Sequence, residues 1–266
     1  MSSNVKAGEP LIEFRNIQKS FGPKVIYDGL NVSFRRGETT TVLGASGSGK
    51  SVLLKMLIGL IPSDAGEILF DGRDVAKLEE KSLFDVRRRI AYLFQGAALF
   101  DSLSVGENVA YGLREQYWNT MSDAEIRQRV AEALASVGLP GIEKMRPSDL
   151  SGGMKKRVGL ARTLALQPEV ILYDEPTTGL DPINTARINH LILHIQKTLK
   201  LTSIVVTHDM GTAFSVSNRL VMVGKGHVLL EGEPDAFVES KDPYVRDFID
   251  GRAPAQEDVS VLLSTS

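Results

Sequence analysis

Gly44-Ala45-Ser46-Gly47-Ser48-Gly49-Lys50-Ser51 follows the short run Thr39-Thr40-Thr41-Val42-Leu43. It precedes a segment whose apolar residues fall at Val52, Leu53, Met56, Leu57 and Leu60. The octapeptide has the form G-x-x-x-x-G-K-[ST], and its flanks predict a buried strand before it and a helix over Lys50–Leu60 after it. In that context the glycines let successive backbone N–H groups line an anion-binding concavity. The helix adds roughly half a positive charge at its N-terminus. Lys50 is placed to bridge outer phosphates, and the Ser51 hydroxyl to ligate Mg²⁺. A plain glycine-rich turn before a capped helix is the alternative, and it leaves Lys-Ser at this spacing without a purpose. The stretch implies a nucleoside triphosphate site.

Composition sets the outer limits. The 266 residues approach the upper size for one hydrophobic core, so one domain with lobes, or two, is expected. A 42% apolar and 24% charged content is that of an ordinary soluble globular chain. The net charge of −2 provides no basic footprint, so no nucleic-acid partner is expected. No cysteine is present, which excludes a disulfide framework, a thiolate metal site and a thiol nucleophile. Met1–Pro10 is polar and lacks the apolar core of a signal peptide, and no run of about eighteen apolar residues occurs. Any membrane role is expected to come through a partner.

In chain order, Leu11–Ile17 and Lys24–Phe34 predict strands, joined by a turn at Ser20-Phe21-Gly22-Pro23. Phe21 suits either the core or stacking on a base. Gly66–Phe70 predicts a strand, Leu78–Arg89 a helix, and Ile90–Phe94 a strand ending on Gln95. An amide at a strand tip fits a ligand-binding group in an α/β sheet, or a solvated loop. Ser104 to Gln167 reads as mostly helical, with capping boxes at Ser104/Glu107 and Ser122/Glu125 and a stop at Gly138-Leu139-Pro140. Within it, Leu150-Ser151-Gly152-Gly153-Met154 opens a helix running to Leu166 and forms a second anion-ready terminus. Lys155, Lys156 and Arg157 behind it are expected on a solvated helix face.

The run Val170-Ile171-Leu172-Tyr173 ends in Asp174-Glu175, two carboxylates crowded at one strand tip. Beside a triphosphate they divide the labour: Asp174 holds Mg²⁺, through water, and Glu175 orients and polarises the attacking water. Pro182–Leu199 predicts a helix and Ser203–Thr207 a strand with His208 at its tip. A lone histidine is more often structural, but this one ends a strand beside those already carrying the site.

Taken together, these elements resemble the ATP-binding cassette (ABC) ATPases. The phosphate loop Gly44–Ser51, the glutamine loop at Gln95, the signature Leu150–Met154, the strand ending in Asp174, Glu175, the turn Gly179-Leu180-Asp181 and His208 occur in the family's order, from about Leu11 to Glu239. The signature discriminates against kinases and GTPases, which share the phosphate loop alone. The resemblance implies an α/β fold: a P-loop ABC ATPase core with an antiparallel β subdomain and an inserted α-helical subdomain. It implies ATP with Mg²⁺ as cofactors. Lys50, Gln95, Glu175 and His208 become the catalytic residues, with Ser51, Gln95 and Asp174 at the metal. Phe21, the loop from Gly44 to Ser51, Ser151, Gly152, Gly153 and Asp181 become nucleotide contacts. In the family one copy's phosphate loop faces another copy's signature, which implies a dimer with ATP between the halves, Ser151–Gly153 reaching the γ-phosphate in trans. The expected division is 1–10 as a flexible N-terminus, 11–240 as the ATPase domain with a helical lobe over about 96–167, and 241–266 as a C-terminal extension.

One position departs from the family pattern: the last signature residue is Met154 where glutamine is usual. A thioether cannot replace the amide's hydrogen bonds, but Ser151 and the glycine backbone are intact, so activity is expected to survive. The resemblance narrows with Phe94–Leu103, Glu107–Tyr111, Leu113-Arg114-Glu115, the Met-ending signature and Asp242–Gly251. These are similar to the ATPases of MCE-type phospholipid transporters, the Mla system of Gram-negative envelopes. That branch implies an integral-membrane permease, an MCE-domain lipid-binding subunit, a small STAS-domain subunit and a place on the cytoplasmic face of the inner membrane. A cassette for nutrient import or drug export is the alternative cargo reading. A non-transport cassette fits less well, since neither a second cassette nor a long coiled-coil insertion is present. Ala97, Leu99 and Phe100 suit either the interior of the lobe or the permease contact. Leu220–Val223 and Val228–Glu231 predict two further strands and Asp235–Ser240 a helix. Pro243–Ile249 has one apolar side, and the end of the chain is either simply frayed or, as Val259, Val261, Leu262 and Leu263 suggest, a tail docking on the partner ATPase.

Overall fold

The computed structural model describes residues 8–252. The chain opens with strands β1 (Pro10–Phe21) and β2 (Lys24–Arg35), paired antiparallel. β1 is longer than the alternation of its sequence suggests. A register shift between Phe14 and Ile17, with Asn16 at φ 50°, bulges the strand and interrupts the period of two. Phe21 therefore ends a strand and sits opposite Lys24, and the turn itself is Gly22-Pro23.

Next come β3 (Thr39–Leu43) and helix α1 (Lys50–Leu57). The helix is shorter than expected because Gly59 takes a left-handed φ of 67°, leaving Leu60 exposed. Strands β4 (Ala65–Phe70) and β5 (Arg73–Asp74) return to the first sheet, whose order is β2-β1-β4-β5. Helix α2 (Glu80–Arg89) runs into β6 (Ile90–Leu93). Three helices follow, α3 (Val105–Gln116), α4 (Asp123–Ser136) and α5 (Gly152–Ala165). Both expected capping boxes are formed, at Ser104/Glu107 and Ser122/Glu125.

The remainder alternates between the two kinds of element: β7 (Val170–Asp174), α6 (Pro182–Leu199), β8 (Thr202–Val206), α7 (Met210–Val216), β9 (Arg219–Gly224), β10 (His227–Gly232), α8 (Pro234–Val238) and α9 (Pro243–Asp250). The second sheet has the order β10-β9-β3-β8-β7-β6, parallel except for β10 at its edge. Every residue of β3, β7 and β8 is buried, as central strands of a parallel sheet covered on both faces are.

β7 shows how the layers are divided. Val170 and Leu172 face a core shared with the antiparallel sheet and α1, while Ile171 and Tyr173 face the helices α3–α6. The apolar cluster of the helical lobe therefore runs without a break into the sheet. A third cluster joins Leu43, Leu220 and Met222 to Ala213, Phe237 and Val245, pinning α7, α8 and α9 beside β3 and β9. The two sheets are tied by a ring of charges in which Arg36 and Arg89 each pair with both Asp71 and Glu169. The Arg89 hydrogen bond at 2.8 Å, assisted by both guanidinium charges, holds the Asp71 carboxyl below its ordinary pKa despite partial desolvation.

Candidate active site

Because β3, β6, β7 and β8 run parallel, their C-terminal tips gather at one edge of the sheet. β3 delivers the glycine loop, β6 delivers Gln95, β7 delivers Asp174 and Glu175, and β8 delivers Thr207 and His208. A cavity of about 790 Å³ opens there. Its walls include Phe21, Ala45, Ser46, Gly47, Gly49, Lys50, Ser51, Gln95, Glu175 and His208.

The loop is shaped from below. The Tyr27 hydroxyl donates to the Gly49 carbonyl at 2.8 Å. A side chain on Gly49 would bring its Cβ to 2.5 Å from Ile26 Cγ2, and the residue's φ is 100°. Only glycine fits. α1 begins one residue later with no side-chain cap, so its first N–H groups and positive dipole end are left for an anion. Lys50 is buried, its ammonium donating to the Gly44 and Ala45 carbonyls at 2.7 and 3.1 Å. Desolvation lowers its pKa, opposed by the nearby charges of Glu175 and Asp174.

Asp174 and Ser51 meet directly, the hydroxyl donating to one carboxylate oxygen at 2.7 Å. The other oxygen accepts from the Tyr92 hydroxyl, also at 2.7 Å. Desolvation, then the hydrogen bond to Asp174, pushes the Tyr92 pKa far above its ordinary value. The Glu175 carboxylate accepts from Thr178 and Thr207 at 3.2 Å each and meets His208 Nδ1 at 2.9 Å. Its backbone has φ 49°, a left-handed conformation that costs a β-carbon-bearing residue roughly 1–2 kcal/mol. Behind it, a chain running from half-buried Asp209 through buried Thr212, Thr177 and Asn189 braces the turn that follows.

The signature stands elsewhere. Ser151, Gly152, Gly153 and Asp181 do not line the cavity. Ser151 caps α5, its Oγ accepting from the Met154 N–H at 3.3 Å, and Asp181 caps α6. A Cβ on Gly153 would lie 3.0 Å from Asn184 Oδ1, so the starts of these two helices are packed together. Met154 packs on the apolar cluster of the lobe. Of the three residues between lobe and surface, Ala97 is buried, Leu99 packs within the lobe and Phe100 is exposed.

Several contributors were not foreseen from the sequence. Tyr92, Thr178 and Thr207 hold the two carboxylates. Asp247, Phe248, Gly251 and Arg252, from α9 and the residues after it, line the same cavity as Phe21 and Lys24. The amphipathic pattern of Pro243–Ile249 predicts the helix but not its place. The tail from 253 to 266, including the expected docking patch, lies outside the described residues. The solvated face expected at Lys155–Arg157 is corrected at its centre. Lys156 is buried, its ammonium donating to the backbone carbonyls of Gln95 and, at 3.2 Å, of Glu175.

Comparison with known proteins adds to this geometry. The family described as ABC transporter matches residues 27–178. The intermembrane phospholipid transport system ATP-binding protein MlaF of Haemophilus influenzae is 40% identical over 260 residues, 95% of this chain and 98% of that protein. The probable ribonucleotide transport ATP-binding protein mkl of Mycobacterium tuberculosis is 42% identical over 241 residues, 91% of this chain and 67% of that one. Among solved structures, the dimeric ATP-binding cassette MJ0796 bound to ADP and Pi superimposes with a TM-score of 0.76 at 32% identity, over 84% of this chain and 98% of that chain.

Proposed function

The chain belongs to the ABC transporter family, and from that premise we infer that it is the ATP-hydrolysing subunit of a phospholipid transporter working between the inner membrane and the cell envelope. As a member it binds and hydrolyses ATP. The cargo reading rests on MlaF, matched along nearly its whole length, whereas mkl extends well beyond the matched region.

The observation that carries the mechanism is the separation of the two nucleotide-binding halves. The loop with Lys50 lines the cavity and the signature does not. A second copy supplies Ser151–Gly153 and Asp181 to this copy's ATP, and receives the same in return. Phe21 stacks on the base; the loop amides and Lys50 hold the phosphates. Glu175, fixed by His208, Thr178 and Thr207, orients a water for in-line attack on the γ-phosphorus and accepts its proton. The new P–O bond forms as the β–γ bridge breaks, and ADP departs with that electron pair. His208, hydrogen-bonded to Glu175, senses the γ-phosphate.

Hard oxygen donors suit Mg²⁺, and Ser51 Oγ with Asp174, already 2.7 Å apart beside the cavity, form such a set. Ser51, Asp174 and Gln95 would hold the ion, which neutralises phosphate charge. Tyr92 orients Asp174 for that task.

Among the described residues no helix is long and apolar enough to cross a membrane. On the phospholipid-transport reading, the subunit sits on the cytoplasmic face of the inner membrane, held there by a permease, with MCE-domain and STAS-domain subunits in the complex. A groove of about 370 Å³ lined by Tyr92, Phe94, Phe100 and Tyr111 offers an apolar seat for the permease beside Gln95.

Glu175→Gln tests the catalytic assignment. It should bind ATP, accumulate an ATP-bound dimer in size-exclusion chromatography, and hydrolyse at least about a hundredfold more slowly. Near-normal turnover would remove Glu175 from the mechanism. Phospholipid should co-purify with the complex from detergent-solubilised membranes; a lipid-free complex carrying another solute would favour the import or export alternative.

A further inference from the structure

We propose that Lys156 is a positioning residue that locks the glutamate and the glutamine of its own site to the helix bearing the signature. The proposal rests on the catalytic role given above to Glu175.

A buried lysine is costly, because desolvation penalises its charge and lowers its pKa. Neither of its hydrogen-bond partners is a carboxylate. Both are backbone carbonyls, those of Gln95 and Glu175. These two residues stand just beyond the tips of β6 and β7, whose ladder ends with Leu93 opposite Tyr173. One ammonium thus bridges neighbouring strand ends after their own pairing has stopped. The charges of Asp174 and Glu175 favour its protonated form at that place.

The Glu175 carbonyl is where such a bond has leverage. This residue is held at φ 49°, and a left-handed residue persists only where its surroundings over-determine it. Its carboxylate is fixed by His208, Thr178 and Thr207. Its carbonyl accepts from the Thr178 N–H at 3.3 Å and from Lys156 at 3.2 Å. Without the ammonium, the peptide loses the charged donor from that set, and the carboxylate is free to swing from its aim.

The bond also has direction. α5 begins at Gly152, and Lys156 lies one turn into it. Six residues on, Arg162 donates to the carbonyls of Ala97 and Ala98 at 2.6 and 2.7 Å. The segment Gln95–Ala98 is therefore bound along α5 by two cations. A shift of the signature end by the other copy's nucleotide would reach Gln95 and Glu175 through Lys156.

The test compares Lys156→Met and Lys156→Arg in the intact complex, with Glu175→Gln alongside. The Met variant should lower kcat about ten- to a hundredfold, the scale of a misplaced catalytic group, while KM and ATP affinity change less than about twofold. The Arg variant, which restores a buried donor and charge, should recover most of kcat. If the Met variant proves insoluble, Lys156→Gln, with a neutral donor, should show the same selective loss of kcat. Full turnover in the Met or Gln variant, parallel loss of kcat and ATP affinity, or no recovery with Arg would overturn the proposal. A Glu175→Gln protein that hydrolyses normally would overturn the catalytic assignment first. An inactive Glu175→Gln beside a fully active Lys156→Met would overturn this proposal alone.

Discussion

Tyr92→Phe isolates one hydrogen bond at the expected metal site. The hydroxyl donates to Asp174 Oδ2 at 2.7 Å, while the ring packs on Phe94 with centroids 4.4 Å apart. Phenylalanine keeps that packing and deletes only the donor. Asp174 is buried, and its other oxygen is engaged by Ser51, so the freed oxygen has no replacement among the described side chains that contact it. A hydrogen bond to a charged group is worth about 1.5–3 kcal/mol. With a urea m-value on the order of 3 kcal/mol/M, the unfolding midpoint should fall by about 0.5–1 M. Loss of the partner that orients a metal-binding carboxylate should also raise the Mg²⁺ concentration for half-maximal ATPase activity about ten- to a hundredfold. Nucleotide binding measured in EDTA should stay unchanged. Urea titration and a Mg²⁺ titration of the ATPase read both effects. A variant as stable as the parent, with the parent's Mg²⁺ dependence, would refute the orienting role of Tyr92.

Three further outcomes are expected. Ser151→Arg should abolish hydrolysis by filling the position offered to the other copy's γ-phosphate, cost about 1 kcal/mol from the lost helix cap, and leave monomeric ATP binding intact. Met154→Gln should change turnover only a few-fold, so equal sensitivity at the two positions in an ATPase assay would refute that division. Asp71→Asn should test the ring of charges through pH. Since Arg89 and Arg36 depress the Asp71 pKa, its stabilisation is complete above the unfolded value of about 3.9 and disappears as pH falls through the folded value. Urea midpoints of parent and variant should therefore differ at neutral pH and converge below about pH 4; a constant gap would refute the linkage.

Much of the architecture was legible because its signals are local. A buried run, a glycine loop and an amphipathic helix specify strand, loop and helix at 39–57 whatever surrounds them. Lys156 is hidden in the sequence because a charge run suggests a wet face. Its spacing held the contrary signal: Gly153, Lys156, Leu160 and Leu164 fall at helical intervals, all on the buried side of α5. Tyr92 was illegible for a different reason. In a strand buried on both faces, sequence does not say which side chains face the ligand edge. That depends on pairing with β7, about eighty residues away. The placement of α9 against the cavity depends likewise on β9, which only tertiary packing brings beside β3.

The sheet order has a consequence for synthesis. β3 precedes the loop that names the site, yet its neighbours on either side are β8 and β9. The first of these begins at Thr202, roughly 160 residues later. At about 5–20 residues per second, a chain leaving the ribosome holds β3 with both edges bare for some 10–30 s. A strand that the fold buries completely, with two unpaired edges, is a template for misassociation during that interval. ATP cannot act as an early scaffold, because the cavity also needs His208 and α9, made later still. A fragment ending before Thr202 would carry the whole octapeptide while leaving both edges of β3 unpaired.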